Sequence, residues 1–194
     1  MKHHGRTFAI LAAILIVLDQ ATKTAVRVWM PFPPGTRRRP KIEVIEGFFN
    51  LVHAKNPGAA WGLLGTHEYR MVFFTVVTLL AVGLIIFYFR MLRPDDRLMA
   101  VSLSCVFAGA IGNFIDRLLY REVTDFLQFY LSGAPGRWVA DLLGSRYWPS
   151  FNVADICINL GVGLFLWHVL VIERKRALEE AANPGAGESQ DGEA

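Results

Sequence analysis

Cysteine is nearly absent from this sequence: Cys105 and Cys157 are the two in 194 residues. Both lie inside apolar runs and form no CxxC pair, which argues against a disulfide framework or a thiol redox centre. The five histidines, His3, His4, His53, His67 and His168, are scattered. They make no Cys/His cluster with metal-ligand spacing and no HExxH, so no metal or cofactor is expected. There is no GxSxG, no P-loop and no glycine-rich dinucleotide fingerprint, which removes the common serine-hydrolase and nucleotide-binding readings. The net charge of +3 is small. The basic residues are therefore read as topology signals and headgroup contacts, and no nucleic-acid partner is expected.

What the chain has in abundance is apolar sequence, 53% of it, gathered in four blocks almost free of charge. That pattern predicts an all-α integral membrane protein with four transmembrane helices, spanning about 7–30, 71–89, 98–115 and 153–172. The first block could pass for a secretory signal, with Lys2 and Arg6 ahead of Phe8–Leu18. No small-x-small cleavage site follows, so it is read as a retained span. Pro31, Pro33 and Pro34 end it. From Lys41 to Gly65 the residues alternate and suggest short strands, with turn chemistry at NPGAAWG (Asn56 to Gly62). An element this small cannot bury its own core and must lean on the helices or the membrane. Span two has no charge and is assigned a lipid-facing, scaffolding role. The segment 127–150 is expected at the interface; its Leu131–Ser150 part mixes Gly and Pro with Trp138, Tyr147 and Trp148, as an interfacial anchor or lid would. Arg174, Lys175 and Arg176 are expected to stop span four, and the tail from Ala181 to Ala194 to be disordered. Basic residues close to the span ends (Lys2, Arg6, Arg90, Arg93, Arg97, Arg174–Arg176) favour both termini inside; the Arg37–Arg39 run opposes this.

With that orientation Asp19, Lys23, Asn56, Asn113, Asp116, Arg117, Asp125, Asn152 and Asp155 all fall at the outer boundary. A carboxylate in a bilayer is costly, roughly 2.5–3.5 kcal/mol at mid-membrane, so such a convergence suggests a function. Asp19 and Lys23, four apart, share a helix face and can pair; Asn152, Asp155 and Asn159 are spaced to share another. Two aspartates sharing one proton can hydrolyse a peptide bond without a covalent intermediate. Asp125 and Asp155 are the favoured dyad, although spacing alone leaves Asp116 as eligible as Asp125. The competing reading is a small transporter or channel subunit using these charges as an ion or proton path; a helix-packing protein is a third. Transport favours charges at several depths, whereas these gather at one boundary.

Five segments in order, DQATK (Asp19 to Lys23), NPGAAWG, GAIGNFIDR (Gly109 to Arg117), VTDF (Val123 to Phe126) and FNVAD (Phe151 to Asp155), resemble lipoprotein signal peptidase, or signal peptidase II, a bacterial membrane aspartic peptidase. The resemblance implies a catalytic pair of Asp125 and Asp155, with Asp116 a structural neighbour. Asp19, Lys23, Asn56, Gly109, Asn113, Arg117, Asn152 and Ala154 match the family's other active-site positions. It implies four transmembrane helices with a small periplasmic β-cradle, over about 41–65 here, and a short interfacial helix. The implied substrate is a diacylglyceryl-modified prolipoprotein, cut just before the lipidated Cys, in contact with membrane lipid. Sensitivity to a globomycin-type inhibitor and action as a monomer are expected, in a single domain to residue 172 of the bacterial inner membrane. Asp125 and Asp155 are thirty positions apart, more than the family usually has, and the extra residues within Leu131–Ser150 are read as an enlarged lid.

Overall fold

The computed structural model of the protein describes residues 4–36, 38–58 and 67–182. Residues 59–62 of the turn expected at Asn56–Gly62, residues 63–65 of the expected cradle and residues 183–194 of the tail lie outside them. Among the described residues, four helices are long and apolar enough to cross a membrane, running from Gly5, Tyr69, Arg97 and Val153. Helix α1 (Gly5–Trp29) stops where Pro31 removes the next donor; its last bond runs from the Met30 N–H to the Val26 carbonyl. Helix α2 (His67–Arg90) is apolar all round and leaves Leu79, Leu80, Leu84 and Phe87 exposed, as a helix bathed in lipid does.

Helix α3 (Arg97–Tyr120) is the most buried of the four, and α1, α2 and α5 all pack on it. Small residues make that possible: Ala100, Ser102, Ser104, Ala108, Gly109 and Gly112 line its buried face. The hydroxyls pay no desolvation penalty, because Ser102 Oγ donates to the Gly161 carbonyl (2.8 Å) and Ser104 Oγ to that of Ala100 (2.6 Å). α3 continues past the expected end at residue 115, carrying Asp116 and Arg117 on a helix, and closes at Arg121 in the left-handed conformation.

The strand-like region forms β1 (Lys41–Ile45) and β2 (Phe49–Asn56). A third strand not anticipated from the sequence, β3 (Val123–Phe129), follows α3 and completes an antiparallel sheet in the order β1-β2-β3. Ala54 pairs with Asp125 and Asn56 with Val123, so Asn56 is the diagonal neighbour of Asp125 on one face. After helix α4 (Gly133–Leu143) the chain returns to the sheet. Phe151 exchanges backbone bonds with Leu127 at 2.9 and 3.0 Å. Helix α5 (Val153–Trp167) starts two residues later, which sets its first turn beside β3.

The basic triplet 174–176 does not end the last helix. A π-helical turn, His168–Glu173, leads into α6 (Arg174–Ala182). Asp96, His168 and Glu173 gather there closely enough to hold a metal ion. Arg176 already bridges Asp96 (2.8 Å), Glu173 (2.9 Å) and Asp95 (2.7 Å), so the group works as an ion-pair staple between α6 and the α2–α3 turn.

Candidate active site

The site begins with one face of α1. Asp19, Lys23 and Arg27 follow at intervals of four and point into the bundle. Lys23, wholly buried, lies 2.8 Å from Asp19 and 3.6 Å from Asp116, and donates to Asn113 Oδ1 at 3.0 Å. Asp116 accepts from Arg27 (3.3 Å) and Gln20 (3.3 Å) through one oxygen, and from the Thr124 N–H (2.9 Å) through the other. Arg27 also donates to Thr124 Oγ1 (2.9 Å) and stacks on Tyr120. Two acids meet two bases with every carboxylate oxygen engaged, the condition under which buried charge is tolerated. The cluster also fixes two backbones. Asp116 grips β3 one residue before Asp125, and Asp19 accepts the Ala154 N–H (2.9 Å) in the first turn of α5.

Above it stands a relay of amides. Lys23 offers only donors, so the Asn113 oxygen must face it, and the Asn113 nitrogen is left to donate to Asp155 Oδ1 at 2.8 Å. Asn152 donates from one nitrogen to Asn113 Oδ1 (3.2 Å) and Asp125 Oδ1 (2.7 Å). Its oxygen accepts the Asp155 N–H (3.0 Å), and Asp155 Oδ2 accepts the Asn152 N–H (3.1 Å), a reciprocal capping box at the start of α5. Asn56 holds the second Asp125 oxygen at 2.9 Å. The two carboxylates are thus joined through Asn113 and Asn152, with no direct hydrogen bond between them.

Asp125 is 2% exposed. Burial pushes its carboxyl up to about 6, and the charge of Asp155 adds to this; hydrogen bonds from Asn56 and Asn152 and the Lys23 charge pull the other way. Arg117 lies over the Phe74 ring (4.3 Å), near the Asn113 carbonyl, with its charge felt by Asp155, Asp125 and Asp116. Gly109 lies against the Ala154 carbonyl and Ile158, and Gly112 against Asp19; a side chain at either would push the helices apart.

Residues 11–171 match the family model described as signal peptidase (SPase) II. The chain belongs to the signal peptidase II family. It is 40% identical over 177 residues to a lipoprotein signal peptidase of Geobacter metallireducens, covering 91% of this chain and 98% of the relative. A lipoprotein signal peptidase of Syntrophus aciditrophicus is 41% identical over 170 residues, covering 86% and 92%. Two solved bacterial membrane enzymes superpose with TM-scores of 0.66 and 0.64, at 30% and 31% identity, over 86% of this chain and 94% and 88% of theirs. The protein is accordingly a multi-pass bacterial membrane protein with four membrane helices and a small sheet.

All ten residues singled out in this signal peptidase II sequence lie in or beside the network, in different capacities. Asp19, Lys23, Asn56, Asn113, Asp125, Asn152 and Asp155 are linked by side-chain hydrogen bonds or ion pairs; Ala154 contributes its N–H, Gly109 only space, and Arg117 its charge. The shared helical face expected of Asn152, Asp155 and Asn159 is not what forms. Asn152 is the cap rather than a helical residue, and Asn159 is exposed and donates back to the Asp155 carbonyl. Gln20, Arg27 and Thr124 were not anticipated as parts of the site. Arg27 carried a usable signal, because it continues the Asp19–Lys23 spacing by one more turn.

Proposed function

We propose that this chain is an aspartic endopeptidase that removes the signal peptide from diacylglyceryl-modified prolipoproteins, cutting before the lipidated Cys, with Asp125 and Asp155 as the catalytic pair. The observation that carries the reading is the amide relay: it ties together two carboxylates of separate elements, one of them buried and pushed up to about 6, so that it holds its proton to a higher pH than an ordinary aspartate. Charge count supports the same division. The lower cluster is neutral, with two acids and two bases, which leaves Asp125, Asp155 and Arg117. One protonated carboxyl makes that set neutral too.

Asp155 then acts as base. It takes a proton from a water as the oxygen attacks the scissile carbonyl carbon, while the Asp125 proton hydrogen-bonds the carbonyl oxygen and stabilises the charge growing there. The tetrahedral intermediate collapses as Asp155 returns its proton to the departing amide nitrogen and Asp125 keeps its own. Asn113 and Asn152 hold both carboxylates in place, which counts because misplacement by about 1 Å can cost about 10²-fold. Lipid anchoring supplies binding energy remote from the reacting bond. The same reading has the enzyme acting as a monomer. Both termini are placed in the cytoplasm and the site at the outer face of the membrane, with a globomycin-type inhibitor expected to compete for it. The transporter reading lacks charges spread along the bundle depth.

Cleavage of a diacylglyceryl prolipoprotein by the purified protein in detergent is the test. Asp125→Asn and Asp155→Asn are expected to be folded and inactive, and Asp116→Asn to retain measurable turnover because an amide oxygen can still hold Thr124. Normal cleavage by Asp125→Asn would make the assigned pair wrong.

A further inference from the structure

A cavity of about 650 Å³ lies between α4 and the sheet. Its floor is aromatic: Phe129 stacks on Phe151 at 5.9 Å and meets Phe48 at 5.2 Å. Val139 and Leu143 of α4 contribute the opposite wall. Arg146, drawn over the Tyr147 ring (5.2 Å), is the one charged residue of the lining. A second recess of about 380 Å³ shares Trp148, Pro149 and Phe151 with the first and reaches Ile156 and Leu160 on α5. Those two are 44% and 54% exposed, on a surface of α5 that faces lipid. The two spaces adjoin across Trp148, Pro149 and Phe151, and together they extend from beside the exposed apolar face of α5 to the underside of α4. Such a path is unusual for extramembrane structure, where apolar surface is normally closed over.

The path runs beside the catalytic pair. Phe151, common to both recesses, is the residue before the Asn152 cap, and it is paired to Leu127, two residues beyond Asp125. Resting on the function proposed above, we infer that this groove receives an acyl chain of the substrate's diacylglyceryl cysteine while its peptide bond is cut. The lipidated residue supplies the leaving nitrogen, so its acyl chains start within one side chain's length of the two aspartates. An apolar groove that opens to lipid at one end and skirts the reacting bond along its length matches a chain so placed. Arg146 is then the group available to the ester oxygens. The segment from Leu131 to Ser150, longer than the family pattern requires, becomes a determinant of how tightly the lipidated substrate is held.

The test uses the full chain in nanodiscs of phosphatidylcholine and a prolipoprotein whose diacylglyceryl Cys carries a diazirine near one acyl terminus. Irradiation is expected to label peptides within residues 129–160. Val139→Trp, which fills the groove without touching the aspartates, is expected to lower that labelling and raise KM several-fold with kcat near wild type. The same variant should leave KM unchanged for a substrate with shortened acyl chains, which a general folding defect would not. The wild-type label map stands whether or not the variant folds. Cleavage with the label confined to other helices overturns the inference and leaves the proposed function standing. So does a diazirine phosphatidylcholine that labels the groove and is not displaced by substrate, which makes it a phospholipid site. A wild type that neither cleaves nor takes label in the groove overturns both.

Discussion

Gly109→Ala tests how closely the site depends on the approach of α3 and α5. The added Cβ would lie 2.6 Å from Ile158 Cγ1 and 3.1 Å from the Ile158 nitrogen, with the Ala154 carbonyl oxygen closer still. Ordinary contact begins near 3.4 Å, and two of these three atoms are backbone, so no rotamer change relieves the clash. The first turn of α5 must retreat by about 1 Å, within the range where overpacking costs about 1–3 kcal/mol. That turn carries Ala154, Asp155 and the Asn152 cap. The bonds at 2.8 Å from Asn113 to Asp155 and 2.9 Å from Ala154 to Asp19 would stretch beyond useful length. A displacement of this size at the proposed catalytic pair predicts a loss of about 10²-fold in kcat. Gly163 is the matched control, because a Cβ there meets nothing within 4 Å. The assay is turnover of a diacylglyceryl prolipoprotein together with thermal unfolding in detergent. Gly109→Ala should lose both activity and melting temperature, and Gly163→Ala neither. Wild-type turnover by Gly109→Ala would show that the relay is not held by this contact.

Three further outcomes follow from the same geometry. The Asp125 carboxyl, titrating near 6, must be protonated in the proposed mechanism, so kcat/KM should fall as pH rises through about 6. Asn56→Ala removes a hydrogen bond that favours the charged form, so this alkaline limb should move to higher pH; a shift to lower pH would contradict the assigned role of Asn56. Lys23→Met strips Asp19 of its one cationic partner inside the bundle and weakens the hold on Asp116. The expected loss is about 3–5 kcal/mol, measured by chemical denaturation in mixed micelles, and unchanged stability would mean that the Lys23 ion pairs do not hold the bundle together.

Four membrane helices could be read directly from uncharged runs, because a bilayer imposes a length and a polarity that sequence cannot disguise. The Asp19–Lys23 pair was equally legible, since helical periodicity turns spacing into proximity. β3 was not. VTDFLQF is seven residues with Asp125 and Gln128 among its apolar positions, and it becomes a strand only by pairing with β2, some seventy residues earlier in the chain. The relay was hidden for the same reason: Asn56, Asn113 and Asn152 sit on a strand, a membrane helix and a helix cap, and no local pattern relates them. Motif resemblance named the residues; the hydrogen bonds supply the reasons each has its side chain. The last helix misled in another way. A basic triplet reads as a stop where a membrane ends, but here Arg176 turns inward to Asp95 and Asp96, so the helix runs on through a π-helical turn.

Asn152 begins α5 and, with the same side chain, reaches Asp125 and Asn113. Serine, threonine or aspartate would start the helix about as well, but none can give two amide hydrogens to separate partners at once. Only asparagine satisfies both demands, so the position is frozen by chemistry that helix stability alone would not require. There is a consequence for biogenesis. Asp155 is half of the cap, and the cap's other partners come from α3 and β3, so the proposed dyad comes together only after the final helix has entered and docked. A chain caught part-way through insertion lacks the contacts that tie Asp155 to Asp125. Assembly order thus keeps the two aspartates apart until the fold is complete.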